Sequence, residues 1–313
     1  GKPPNGAASR RRWPSWESAV WRRPPATSCA CWCATAQATS QVRQPMHRWA
    51  ALKKKLLGIS ELCPYDVYVT VFNSHNEKKY SYEEGVEIVL NSLQLMGDDY
   101  LSSLNQAFNN RWIDVFETKA KRSGAYSSGT TFGVHPYVLL NWTDLLNDVF
   151  TLTHEMGHNM HSYYTGESQP YPYANYSIFL AEVASTFNES LLLDHLLEIA
   201  ENKNEKLFLL ERYLNNLAAT FYRQVMFAEF EMIVYDRTEK GESLTSEVLS
   251  ELYKNTYQKF WGPDMLVPEE EQYTWARIPH FYYNFYVFQY PTYSCLSTKL
   301  FNMSYLHLIR NPF

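Results

Sequence analysis

The sequence predicts a mainly α-helical protein, in which long helices pack together and a small β-sheet lies beside one of them. The chain has 313 residues, of which 45% are hydrophobic and 16% aromatic, so it is long enough to bury a sizeable core. Stretches with helical patterning dominate, whereas stretches rich in β-branched and aromatic residues are short and few. The long helical stretches are residues 143–164, 178–200, 205–234 and 246–261.

The part of the chain before the long helices is predicted to start with one helix and one extended segment. Residues 47–57 alternate basic and apolar residues, and Gly58 then provides a stop signal, so we predict a helix that ends there. Residues 65–72 have the sequence YDVYVTVF, which is rich in β-branched and aromatic residues. This composition predicts a strand or another extended segment.

Two further helices are predicted at residues 81–95 and 98–108. Ser81 and Glu84 have the spacing of a capping box, in which each side chain bonds the backbone N–H of the other residue. A helix start near Ser81 is therefore favoured.

A loop and a strand are predicted between these helices and the long ones. Residues 122–133 are rich in Gly, Ser and Thr, which favours a loop. The sequence HPYVLLN, which starts at His135, then predicts a strand. This strand is the one that we expect to lie beside the first long helix.

Charge and composition exclude several classes of protein. A formal net charge of −5 argues against a general nucleic-acid binder. The hydrophobic content excludes a disordered chain, and the low cysteine content excludes a disulfide-stapled mini-protein. No run of about 18 uncharged apolar residues occurs, which excludes a membrane-spanning helix. We therefore expect no nucleic-acid partner and no membrane partner.

Residues 1–45 differ in composition from the rest of the chain. They carry six Arg, one Lys and one acidic residue, which leaves a net charge of −11 for residues 46–313. They contain no Leu, Ile or Phe and so lack the apolar face of a packed helix or strand. We interpret residues 1–45 as a disordered or out-of-frame segment, in preference to a basic tail that binds an anionic partner.

The chemistry is carried by the motif His154-Glu155-Met156-Gly157-His158. Two imidazoles four residues apart lie on one face of a helix, where both can bind one zinc ion. Glu155 lies beside them and is placed to accept a proton from a metal-activated water. The alternative is a helix whose histidines are only surface or core polar groups, which a five-residue pattern of this kind makes the less favoured interpretation.

A catalytic zinc ion needs a third protein ligand and an open position. His161 is on the same face of the helix, but three ligands from one straight helix give poor tetrahedral geometry. Glu167 falls in the connection after the helix and would be loosely held. Glu182 lies on the next predicted helix, which can pack antiparallel to the first and bring the carboxylate to the metal. Of the three, we favour Glu182.

The string HEMGHNMH, followed by AEVASTFNE, resembles the oligoendopeptidase F group of the thimet-oligopeptidase-like zinc peptidases. Other stretches agree in the expected order over roughly residues 46–290. They are LKKKLLG at 52–58, YDVYV at 65–69, KRSGAYSSG at 121–129, HPYVLLNW at 135–142 and RIPHFYYNFYVFQY at 277–290.

This resemblance implies a fold, an activity and a metal site. It implies a zincin-like catalytic lobe that cuts short peptides, with one Zn²⁺ held by His154, His158 and Glu182 and with Glu155 as the general base. Ser185 and Glu189, on the helix of Glu182, are candidates to orient the metal ligands.

The resemblance also implies residues that contact the substrate. Gly124, Ala125 and Tyr126 match the strand edge along which the peptide backbone is expected to lie. His280 and Tyr290 match a His/Tyr segment whose side chains donate hydrogen bonds to the oxyanion. Tyr283 is a further catalytic candidate, and Tyr286 is assigned to substrate binding.

The resemblance leaves differences at both ends. Family members are about twice as long, residues 1–45 do not resemble their N-terminal lobe, and the sequence after about residue 290 looks altered. We therefore expect residues 46–313 to be the catalytic lobe of a zinc endopeptidase, with a cytoplasmic location and short peptides as partners. The alternative is an inactive zinc-binding or interaction remnant of such a peptidase.

Overall fold

The computed structural model describes residues 36–72, 78–129, 131–283 and 285–310. The segment interpreted as non-family sequence lies outside the described residues up to residue 35. Long helices dominate, and one small sheet accompanies them, which confirms the predicted mainly α class.

The helices and strands follow one another along the described part of the chain. The helices are α1 (Ala36–Leu57), α2 (Tyr82–Ser92), α3 (Asp98–Asn109), α4 (Leu146–Ser168), α5 (Ile178–Ile199), α6 (Lys203–Leu217), α7 (Arg223–Glu239), α8 (Ser246–Trp261) and α9 (Gln289–Arg310). The strands are β1 (Ile113–Phe116), β2 (Tyr126–Ser128) and β3 (Tyr137–Trp142). Among the described helices, none is long and apolar enough to cross a membrane.

Helix α1 runs across residue 45, after which we predicted a domain boundary, and that boundary stays a prediction. Met46 and Trp49 are buried and anchor the helix. Arg43 adds an ion pair with Glu229, with 2.8 Å between Nη2 and the carboxylate.

Helices α2 to α6 and the sheet share one hydrophobic core, and α1, α7 and α8 share a second. Large buried members of the first core are Leu93, Leu104, Trp142, Leu152, Met156 and Leu192. Large buried members of the second are Trp49, Phe230, Tyr253, Phe260 and Trp261. The predicted motif helix belongs to the first core.

A buried ion pair connects the two cores. Lys53 of α1 is fully buried and contacts the carboxylate of Glu211 on α6. The same carboxylate accepts hydrogen bonds from the backbone N–H groups of Val71 and Phe72 at 3.0 Å. Glu211 therefore joins α1, α6 and the segment before α2.

The strand or extended segment predicted at residues 65–72 is wrong, because this region starts with a 3-10 turn at Asp66–Tyr68. The Asp66 carboxylate accepts the N–H of Cys63 at 2.7 Å, which fixes the turn locally. The later N–H groups bond to Glu211 instead of a neighbouring strand. β-propensity therefore yields here to side-chain capping.

The sheet has the order β1-β3-β2, with β1 parallel and β2 antiparallel to β3. The strand predicted after His135 is confirmed as β3. Strand β2 lies inside the Gly/Ser/Thr-rich region that we predicted as a loop, because its backbone pairs with residues 137–139. β2 is thus an edge strand of this sheet.

The predicted helices are largely confirmed, except that one of them is interrupted and one further helix is present. The capping box of Ser81 and Glu84 forms at the start of α2, with both hydrogen bonds present. The helix predicted at 205–234 is interrupted by a π-helical turn, Ala218–Tyr222, between α6 and α7. The chain after Tyr290 continues as α9, which packs on α5.

Candidate metal centre and active-site cleft

The motif helix α4 starts at a cap formed by Asp148. Its carboxylate accepts the backbone N–H groups of Thr143 at 2.8 Å and of Leu145 at 3.0 Å. An acidic group in the first turn also suits the positive end of the helix dipole. The cap fixes where α4 begins and therefore which residues face α5.

Gly157 allows α4 and α5 to approach closely. A Cβ atom at this position would lie 2.6 Å from the Cα of Ser185 and 2.9 Å from the carbonyl oxygen of Ala184. Real Cβ atoms do not come this close to backbone, so only glycine fits. The close crossing brings the α4 motif next to Glu182, which lies one turn before Ser185.

Three ligand atoms converge at this crossing. The Nε2 atoms of His154 and His158 are 3.1 Å apart. The Oε2 atom of Glu182 lies 3.4 Å from Nε2 of His154 and 3.6 Å from Nε2 of His158. Ligands at about 2.0–2.1 Å in a tetrahedral zinc site lie roughly 3.4 Å from one another. The donor set and its spacing therefore fit a zinc ion.

Hydrogen bonds hold two of these ligands. Nδ1 of His154 lies 2.5 Å from Oε1 of Glu189, which directs Nε2 of the same ring towards the other ligands. The hydroxyl of Ser185 donates to Oε2 of Glu182 at 3.0 Å. Ser185 and Glu189 thus make the contacts that the sequence suggested.

The two imidazoles differ in their affinity for protons. Burial opposes a charge on His154, but the hydrogen bond and the charge of Glu189, together with Glu182, raise its pKa to about 9. Burial and the neighbouring His154 lower the pKa of His158 to about 3. Of the two rings, His154 is therefore the one that tends to be protonated, and a metal ion must displace the proton on its Nε2.

The side chain of Glu155 lines the same cleft as His154. Its side chain is buried, and burial raises the pKa of its carboxyl, as do the charges of Glu182 and Glu189. The backbone of Ser127 on β2 bonds to it and opposes this shift. Glu155 therefore connects the motif helix to the edge strand.

The other two candidates for third ligand do not join this cluster. His161 stacks on the ring of Tyr176, with 4.0 Å between the ring centroids. Glu167 is exposed. Among the described residues, the ligand cluster consists of His154, His158 and Glu182.

The aromatic segment 280–290 brings together three of its four sequence candidates. The hydroxyl of Tyr290 lies 3.2 Å from Nε2 of His280, and the ring of Tyr286 stacks on His280. Burial, followed by the neighbouring Tyr286 and to a smaller extent the charge of Glu182, raises the pKa of Tyr290. Tyr283 is 59% exposed, and its ring makes an edge-on contact with that of Tyr286.

Sequence reasoning missed Tyr293. This residue is buried one turn after Tyr290 on α9, and its ring contacts that of Tyr290. Burial, followed by the charge of Glu182, raises its pKa. The spacing of Tyr290 and Tyr293 on one helical face was the available signal.

Two cavities adjoin the ligand cluster, at the two ends of β2. The first cavity, of about 760 Å³, is lined by Ala125, His154, Glu155 and Arg212, among other residues. The second cavity, of about 960 Å³, is lined by Ser127, Gly129, His158 and Tyr176, among other residues. Gly124, Ala125 and Tyr126 lie at the first end of β2, with Gly124 at a φ of 92°.

Comparisons with known proteins show which family this chain resembles. A model of peptidase family M3 matches residues 33–304, past the position near 290 after which we expected differences. The chain is 47% identical over 247 residues to oligopeptidase PepF of Bacillus subtilis, which covers 79% of this chain and 37% of that protein. It is also 47% identical over 247 residues to an oligoendopeptidase F homolog of Lactococcus lactis, which covers 79% of this chain and 41% of that protein.

A solved structure of oligoendopeptidase-F from Enterococcus faecium is similar to this chain in fold. It superimposes with a TM-score of 0.59 at 33% identity and covers 85% of this chain and 41% of that one. The chain thus spans about two fifths of the length of the relatives it matches.

Proposed function

The chain belongs to peptidase family M3, and we propose that it is the catalytic lobe of a zinc-dependent endopeptidase that hydrolyses short oligopeptides. The observation that carries this proposal is the convergence of one carboxylate oxygen and two imidazole nitrogens within 3.6 Å of one another. His154, His158 and Glu182 would hold the ion. When bound, a zinc ion supplies Lewis-acid activation of water and of the scissile carbonyl.

We assign general-base catalysis to Glu155. Its carboxylate lies next to the ligand cluster and lines the first cavity, where the attacked bond would lie. Glu155 accepts a proton from the attacking water and then gives it to the leaving amine. The raised pKa of this carboxyl favours acceptance of that proton.

We assign oxyanion stabilisation to the aromatic segment. His280 and Tyr290 lie 3.2 Å apart and offer donors beside the ligand cluster, where negative charge develops on the carbonyl oxygen. Tyr283 belongs to the same proposed group through its contact with Tyr286, and Tyr286 is assigned to substrate contact.

We propose that the substrate backbone lies along the free edge of β2, at Gly124, Ala125 and Tyr126. An edge strand offers backbone N–H and C=O groups that pair with any extended peptide. Such pairing binds short peptides without a strict side-chain requirement. No role for nucleic acid or a membrane is part of the proposal, and the cytoplasmic location stays a prediction.

Metal analysis and a peptide assay test this function. We expect about one zinc ion per chain, and we expect cleavage of an internally quenched fluorescent peptide that stops with a chelator and returns with zinc. Zinc binding without cleavage would instead favour the inactive remnant. A chain that neither binds zinc nor cleaves peptides would contradict the proposal.

A further inference from the structure

Arg212 on α6 is the only Lys or Arg among the described residues that line the first cavity. It donates one hydrogen bond, from Nη2 to Oδ1 of Asn147 at 2.9 Å, and its guanidinium lies 4.3 Å from the ring centre of Phe150. Among the described residues, no carboxylate lies within ion-pair distance of it. The guanidinium therefore has unused donors that face the same cavity as His154 and Glu155.

The cavity around Arg212 suits an anionic group. Its guanidinium stays charged, because burial lowers its pKa only from a very high ordinary value and the charge of Glu189 opposes that change. Glu189 is itself bonded to His154, and Glu211 is paired with Lys53. Hydroxyl and amide side chains make up much of the remaining wall, for example Thr151, Asn215 and Thr220.

Arg212 lies a defined distance from the ligand cluster. Its two partners on α4, Asn147 and Phe150, precede His154 by seven and four residues, which is about 10 and 6 Å along a helix. An extended peptide advances about 3.3 Å per residue. This separation along α4 corresponds to about two to three residues of an extended peptide.

The direction of the peptide follows from β2. The first cavity adjoins Ala125, before β2, and the second adjoins Gly129, after it. Antiparallel strand pairs are the more common kind, and a peptide that pairs antiparallel with β2 has its C-terminal end at Ala125. That end enters the cavity of Arg212.

From this geometry we infer that Arg212 binds a carboxylate of the peptide substrate, two or three residues after the cleaved bond. The inference rests on the proposed function, because it takes the ligand cluster as the place of cleavage. The carboxylate comes from a free C-terminus or from an Asp or Glu side chain, and planar guanidinium donors bind both.

Binding of labelled peptides tests this inference without turnover. The probes are three N-terminally fluorescent hexapeptides of one neutral sequence: the free acid, the C-terminal amide, and the amide with Glu at the last position. Affinities are measured by fluorescence anisotropy in the zinc-loaded Glu155→Gln chain. We expect the free acid to bind about 10-fold more tightly than the neutral amide. If the Glu amide binds as tightly as the free acid, the site accepts any carboxylate. If the Glu amide binds only as tightly as the neutral amide, the site is specific for the C-terminal carboxylate.

A second substitution removes the cation. Arg212→Gln, in the same background, should lower the preference for the acid to below about 2-fold and leave binding of the neutral amide unchanged. Arg237→Gln is the matched control, because it removes an exposed positive charge on α7. A preference that survives Arg212→Gln, equal affinities in the parent, or no binding of any probe would overturn the inference. If the free acid is preferred but the parent chain, with Glu155 intact, cleaves no peptide, only the proposed function is contradicted.

Discussion

The metal centre and the aromatic segment 280–290 contribute to the same site, but different forces hold them. The metal centre is built on two helices that meet at a glycine, and short hydrogen bonds fix its ligands. The aromatic segment starts in a 3-10 turn and passes through Phe285 at a φ of 50°. Its candidate side chains are held by ring contacts at 5.4–5.8 Å and by the hydrogen bond between Tyr290 and His280.

This difference separates two kinds of defect. A change at the helix crossing displaces a ligand atom, so it should lower zinc affinity. A change in the aromatic segment removes a donor without moving a ligand, so it should lower turnover in a zinc-loaded protein. Zinc content and peptide cleavage, measured on the same variants, therefore report on the two regions separately.

The largest effect is expected for Glu155→Gln, which lies in the metal-centre region but binds no metal in our proposal. Cleavage should fall by about 100-fold or more because the general base is lost, while zinc content stays at the parental value. A quenched-peptide assay and metal analysis measure the two quantities. Glu167→Gln, an exposed change on the same helix, is the control. Parental cleavage by Glu155→Gln would remove the assigned role.

The next effect is expected for Tyr290→Phe, which removes one hydroxyl from the aromatic segment. We expect kcat to fall by about 100-fold with unchanged zinc content, because an oxyanion donor is lost. Steady-state kinetics on a fluorogenic peptide measures this loss. Tyr282→Phe is the control, because its exposed hydroxyl donates only to the Ala276 carbonyl among the described groups. Loss of zinc from Tyr290→Phe would show that the two regions are not separable.

Glu189→Gln should act on zinc affinity. It removes the carboxylate that orients the His154 ring, and we expect zinc affinity to fall by about 10- to 100-fold. Titration against a zinc-selective dye measures the change. Glu198→Gln alters an exposed acid on the same helix and should leave the affinity unchanged. Equal affinities for the two variants would mean that the hydrogen bond does not support the ligand.

The smallest effect is expected for Gly157→Ala, which tests the helix crossing itself. The added methyl would meet the backbone of Ser185, so α4 and α5 must separate, and the free energy of unfolding should fall by about 1–3 kcal/mol. Gly166→Ala is the matched control, because nothing lies within 4 Å of a Cβ there. Denaturant unfolding compares the two. A Gly157→Ala chain as stable as the control would contradict the close crossing.

The sequence predicted most of the metal centre because its signals are local. The spacing of His154 and His158 needs only a helix, and Glu182 needs only that the next helix pack antiparallel. The strand β2 and the turn at Asp66–Tyr68 depend on partners elsewhere in the chain, β3 and Glu211, which composition does not indicate. The role of Arg212 depends on which cavity it faces, and no sequence pattern marked that. Tyr293 could have been found from its spacing to Tyr290 on one helical face.

The buried carboxylate of Glu211 has a consequence for the first cavity. It holds Lys53 of α1 and the backbone of Val71 and Phe72, and it is the immediate neighbour of Arg212 on α6. Helix α1 is thereby connected to Glu211, the residue next to Arg212. Tilting or unwinding α1 is therefore expected to weaken peptide binding at Arg212, although α1 contributes none of the proposed metal ligands.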